Sequence, residues 1–120
     1  MSTHNSSSVR DEPFRRGHVV WVEWIGHNEA RPFLILSGDP QPTHADEYLG
    51  VPLSTTSQAD AVRIQPEDWD TGGLDQPSFA LTWRLQSIPH QAIAQGIGAL
   101  RDEVVEEIVK SAKAALETSE

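Results

Sequence analysis

Residues 17 to 37, GHVVWVEWIGHNEARPFLILS, constrain the fold more than any other stretch of the chain. They read as two apolar strands, rich in β-branched and aromatic residues and without helical spacing, joined by the polar turn Gly26-His27-Asn28-Glu29-Ala30. Arg31 stands where the second strand begins, directly before Pro32. A proline has no N–H for a ladder and holds its predecessor extended, so an Arg-Pro pair belongs at a strand's first residues or on a sheet edge. The hairpin therefore predicts a permanently charged guanidinium displayed at a rigid place.

The remaining pattern is short strands followed by one helix. Tyr48 to Leu53 predicts a third strand that opens into four consecutive hydroxyls, Ser54-Thr55-Thr56-Ser57, and Ala61 to Ile64 a fourth. Phe79 to Trp83 predicts a fifth, continued after a bend by Gln86 to Pro89, and residues 92 to 98 a last short strand or turn. Gly38 to Glu47 and Gln65 to Ser78 are rich in proline and turn formers and read as loops. From about Asp102 to Leu116, Val104, Val105, Ile108, Val109, Ala112, Ala115 and Leu116 recur at helical steps, with Asp102 and Glu103 at the dipole-favoured N-terminus. The expected fold is mainly β with a C-terminal α-helix (α+β), a small barrel of about five to six short strands closed by the helix. Residues 1 to 13, polar and serine-rich, read as a disordered leader, and residues 14 to 120 as a single domain.

Composition limits the chemistry. Without cysteine there is no disulfide, thiolate nucleophile or Cys-based zinc site. Eighteen acids against nine bases give a net charge of -9, which argues against nonspecific affinity for nucleic acid. In a cytoplasm of very high salt the same balance would be expected, and recognition would then fall to a local arginine cluster aided by stacking. No run approaches the roughly 18 apolar residues of a membrane span, so a cytoplasmic protein with no membrane partner is expected. His44, Asp46 and Glu47 read as solvated loop residues, and no metal or other cofactor is expected. The loop acids Glu67, Asp68, Asp70 and Asp75 could supply a general base, although a solvated loop face is their default reading.

The order of these segments resembles the PemK/MazF family of toxin ribonucleases from type II toxin–antitoxin systems. Gly17-His18-Val19-Val20-Trp21-Val22 looks like the family's opening Gly-Asp-hydrophobic strand, and Arg31-Pro32 precedes an apolar strand ending in Ser37. Val51-Pro52-Leu53-Ser54-Thr55 is similar to the Val-Pro-x-Thr strand end, and Leu85-Gln86-Ser87-Ile88 to the late x-[Lys/Arg]-[Ser/Thr]-Ile element. The resemblance spans about Gly17 to Leu116 and implies an SH3-like barrel. It further implies a homodimer that cuts single-stranded RNA without metal and is inhibited by a cognate antitoxin protein, with DNA binding as the antitoxin complex.

By the same resemblance, Arg31 is a catalytic residue and its hydroxyl partner is Ser54, or Thr55 on a one-residue slip. Glu29 matches the acidic loop residue of the hairpin. Thr56, His18 and His27 are candidate substrate contacts, each histidine also a substitute base. Where some family members carry Asp-Gln before the late element, this chain has Trp83-Arg84, a pair suited to stack on a splayed base and to contact backbone phosphate. The competing reading is a noncatalytic SH3-like module whose acidic surface binds a protein. Trp21 is expected in the core.

Overall fold

The computed structural model describes residues 14–23, 30–37 and 47–118. The leader, Trp24, His27, Glu29, and the loop bearing His44 and Asp46 lie outside the described residues. In chain order the strands are β1 (His18–Glu23), β2 (Ala30–Ile35), β3 (Glu47–Ser54), β4 (Val62–Ile64), β5 (Trp69–Gly72), β6 (Ser78–Ala80), β7 (Gln86–Pro89) and β8 (Ile93–Leu100). Helix α1 (Asp102–Thr118) follows. They form an antiparallel sheet of order β4-β6-β3-β2-β1-β8-β5, with β7 also on β3. The fold is mostly β, a curled half-barrel with one C-terminal helix.

The continuous apolar runs of β1 and β2 arise because this part of the sheet is covered on both faces. Val19, Leu34, Val51 and Leu53 point to a core shared with Val105, Ile108 and Ala112 of α1. Their alternates Val20, Val22, Phe33 and Ile35 pack on the other face against Tyr48, Ile88 and Ile93. Fully burying each such side chain contributes about 1.5–3 kcal/mol. Tyr48 also ties down the chain before β1, since its hydroxyl accepts the Phe14 N–H at 3.1 Å and lies 2.9 Å from His90 Nδ1.

Strand β3 is shared. One edge pairs with β2, in a register that sets Ile35 against Gly50, Leu34 against Val51 and Phe33 against Pro52. The other edge pairs first with β7 and then, at Leu53 and Ser54, with β6. The Leu36 N–H donates to the Leu49 carbonyl at 2.8 Å in the same β2–β3 register.

Three differences from the sequence reading have physical causes. β5 lies inside the stretch read as loop, because Trp-Asp-Thr-Gly carries no alternation; it forms only as an edge against β8. The fifth predicted strand stops at Ala80 and gives way to a turn in which the Arg84 N–H bonds the Leu81 carbonyl. The helix's apolar stripe loses its cover at the end, where Leu116 remains 59% exposed.

Gly50 is paired on both edges, with Ile35 of β2 and Gln86 of β7. A Cβ there would stand 2.5 Å from the Leu34 carbonyl oxygen and 2.9 Å from Ile88 Cδ1. Gly50→Ala is expected to destabilise the fold by roughly 1–3 kcal/mol. A thermal unfolding midpoint equal to wild type would contradict this packing.

Candidate functional site

At the hairpin end of the sheet, β2 begins and β3 ends on the two sides of a cavity of about 640 Å³. Ala30, Arg31 and Pro32 line one side, and Leu53, Ser54, Thr55 and Thr56 the other. The β2–β3 pairing ends at Phe33 and Pro52, and two residues beyond it on either strand stand Arg31 and Ser54, both of which line the cavity. The guanidinium-bearing residue at the start of one strand and the hydroxyls at the end of the next thus line one cavity.

The hydroxyls are not equivalent. Ser54 Oγ accepts the Thr56 N–H at 3.0 Å, a local turn that occupies one lone pair and leaves the Ser54 O–H to donate elsewhere. Thr55 and Thr56 follow on the exposed side of the same turn.

The remaining wall comes from the segment between β5 and β6. Leu74, Asp75, Gln76 and Ser78 line the cavity, and Trp21 lines it from β1. Gly72 and Gly73, with φ of 68° and 151°, turn the chain out of β5, a conformation that glycine adopts without a Cβ penalty. The Ser78 hydroxyl donates to the Gln76 carbonyl at 3.3 Å and fixes the segment's return. Asp75, read from sequence as one solvated loop acid among four, is among the described residues the carboxylate on the cavity wall. Asp68 serves its own turn instead, its Oδ2 accepting the Gln65 N–H at 2.8 Å. Trp21, expected in the core, is half-buried with a place on this wall. The pairing of β6 with β3 brings Asp75 and Gln76 here, and no sequence spacing reports that pairing.

Other candidates lie elsewhere. His18 stands at the opposite end of β1, its ring 6.1 Å from that of Phe14 and its Nδ1 accepting the Arg15 N–H at 3.3 Å. Trp83 and Arg84 occupy the exposed turn after β6, beside Thr82, whose hydroxyl is 3.1 Å from Ser111 of α1. Neither lines the cavity. Among the described residues there is no group of three or more His, Asp or Glu that could hold a metal ion. No helix among them is long and apolar enough to cross a membrane.

Residues 15–116 match the sequence profile of the PemK-like, MazF-like toxins of type II toxin–antitoxin systems. The chain belongs to this family. A search of the curated proteins finds no match. Among solved structures it is similar to an endoribonuclease from mycobacterial species, with a TM-score of 0.71 at 20% identity over 91% of this chain and 96% of that one. It is also similar to MazF from Deinococcus radiodurans, with a TM-score of 0.72 at 16% identity over 90% and 100% of the two chains. A third is a mycobacterial endoribonuclease in complex with its cognate antitoxin, with a TM-score of 0.70 at 20% identity over 88% and 95%. At these identities the likeness is one of fold, and the opening Gly-Asp of the family is Gly17-His18 here.

That histidine has a structural setting. Burial, and then the charge of Arg15, lower the pKa of His18 below its ordinary 6.5. A folded-state pKa below the unfolded one means that the native state prefers the neutral ring. Its contribution to stability is thus complete above pH 6.5 and is lost as the pH falls through the folded value. The unfolding midpoint of His18→Asn should therefore change less than that of wild type on acidification below pH 6.5, and parallel curves would remove His18 from this role.

Proposed function

We propose that this chain is a toxin endoribonuclease that cleaves single-stranded RNA by attack of a ribose 2′-hydroxyl on the adjacent phosphate, without a metal ion. The observation carrying the proposal is the shared cavity: Arg31 on one strand and Ser54 and Thr55 on the next line the same space. Family membership and the likeness in fold to a mycobacterial endoribonuclease support the same reaction class.

Charge on the phosphoryl oxygens grows as the 2′-oxygen attacks, and a planar guanidinium binds two such oxygens at once. Arg31 has that task, with the Ser54 and Thr55 hydroxyls donating to the same phosphate. The 2′-hydroxyl gives its proton to a carboxylate as the P–O bond forms. The P–O5′ bond breaks, the 5′-oxygen takes up a proton from water, and a 2′,3′-cyclic phosphate and a 5′-hydroxyl end remain. Asp75 is the carboxylate on the described cavity wall and is assigned the base; Glu29, next in sequence to Ala30 of that wall, is the second carboxylate of the proposal. Thr56 and His27 are assigned to substrate contact.

The active species is proposed to be a cytoplasmic homodimer held in check by a cognate antitoxin, as the antitoxin-bound mycobacterial neighbour suggests. A monomeric mass by light scattering would remove the dimer. The net charge of -9 raises the second reading, a noncatalytic protein-binding module, and also an enzyme that works in concentrated salt.

One experiment separates these readings. Purified protein is incubated with single-stranded RNA and EDTA at low and at molar salt. Cleavage is expected, with Arg31→Ala reducing it by roughly 10²–10³-fold and Asp75→Asn by roughly 10²–10⁴-fold. Intact RNA under all conditions would favour the binding module, and cleavage retained in Asp75→Asn would pass the proton to Glu29.

A further inference from the structure

A second cavity, of about 740 Å³, adjoins the first and shares Thr55 and Gln76 with it. Arg63 and Phe79 line it, and these two residues face each other across the β4–β6 pair. Phe79 also faces Ser54 across β3–β6. Residues opposite one another in antiparallel pairs share a face, so Ser54, Phe79 and Arg63 form one row across three strands. Their neighbours Leu53, Ala80 and Ile64 point the other way, into the core under α1. Ser54, at the end of this row, lines the first cavity together with Arg31.

We infer that this row is a nucleotide track: the RNA strand leaves the Arg31–Ser54 cavity across Thr55 and Gln76, stacks a base on Phe79 and sets a further phosphate against Arg63. The inference rests on the ribonuclease reading of the first cavity and adds to it a binding site for the flanking nucleotide. Successive strands lie about 4.8 Å apart, so Arg31 and Arg63 are separated by roughly 14 Å along the sheet, which leaves room for more than one nucleotide between two phosphate contacts. A half-buried aromatic ring beside an exposed guanidinium is the pairing that holds single strands, the ring by stacking and the cation by charge. In a chain of net charge -9 an exposed arginine at the far end of the row supplies local attraction that the surface as a whole does not. Phe79 is also half-exposed at a position where the β6 alternates Ser78 and Ala80 are buried, so its ring lies on the side away from the helix core.

The test uses full-length protein and fluorescein-labelled 2′-O-methyl RNA of randomised sequence, in a short and a long form. Methylation blocks the nucleophile, so anisotropy reads binding alone. Wild type is expected to bind the long RNA more tightly than the short one. Arg63→Gln and Phe79→Leu should each weaken long-RNA binding by roughly tenfold and so shrink that advantage, while Phe79→Tyr, which keeps the ring, should restore most of it. Arg63→Gln should also reduce the slope of log affinity against log salt by about 0.7, the loss of one phosphate contact on a single strand. Arg101→Gln, which removes an exposed arginine paired with Glu103 outside both cavities, should leave the advantage unchanged. Thermal unfolding of each variant excludes loss of fold as the cause.

Long-RNA affinities of Arg63→Gln and Phe79→Leu equal to wild type, in a protein that cleaves RNA and loses cleavage with Arg31→Ala, overturn the track and leave the ribonuclease reading intact. Failure of wild type to bind or cleave RNA overturns both.

Discussion

The antiparallel register between β2 and β3 is the constraint on which the candidate site depends. Side chains alternate with a period of two along a strand, so a slip of one residue would turn Arg31 away from Ser54 and exchange the two buried faces of the sheet. The register is held because both faces are filled. Leu34 and Val51 lie in the helix-side core, and Phe33 and Ile35 in the opposite one, so a slip of one residue would set each group against the wrong partners, Phe33 and Ile35 against α1 and Leu34 against Tyr48 and Ile88. The apolar residues that stabilise the sheet are therefore also those that aim the polar residues at its end.

Much of this was legible in the sequence, and the unread part has a physical pattern. The Arg31-Pro32 strand start, the hydroxyl run after Pro52 and the amphipathic helix are local signals, and the structure has a strand, a strand end and a helix there. Strand β5 and the cavity-lining role of Asp75 carry no local signal. Trp69 to Gly72 are extended only because β8 offers an edge, and Asp75 reaches the cavity only because β6 adds to β3 beyond β7. His18 shows the converse. A sequence neighbour of the hairpin, it stands at the far end of β1 because six extended residues carry the chain from one end of the sheet to the other.

The charge distribution follows the same division between whole and part. A net charge of -9 repels polyanions at long range, while the arginines of the cavities act at contact, where screening by salt is weak. Arg16 and Arg101 have other commitments, Arg16 to the Leu36 carbonyl at 2.7 Å and Arg101 to Glu103 at 3.3 Å. Arg31 and Arg63, by contrast, each line a cavity. Position rather than number of cations distinguishes this surface.

Pro32 gives the cavity its origin. Backbone donors along β2 alternate between β1 and β3, and the bond from Leu36 to the Leu49 carbonyl marks Leu36, Leu34 and Pro32 as the residues turned toward β3. The third of these has no hydrogen to give, so the zipper loses its next tooth at Leu53, the β2–β3 pairing ends at Phe33 and Pro52, and beyond it β3 is held only on its other edge, by β6. The carbonyl of Pro52 is already turned to that side, accepting the Leu81 N–H at 3.0 Å. The opening between the strands is thus a fork written into the chain by an imino acid, and the residue immediately before the fork is the arginine.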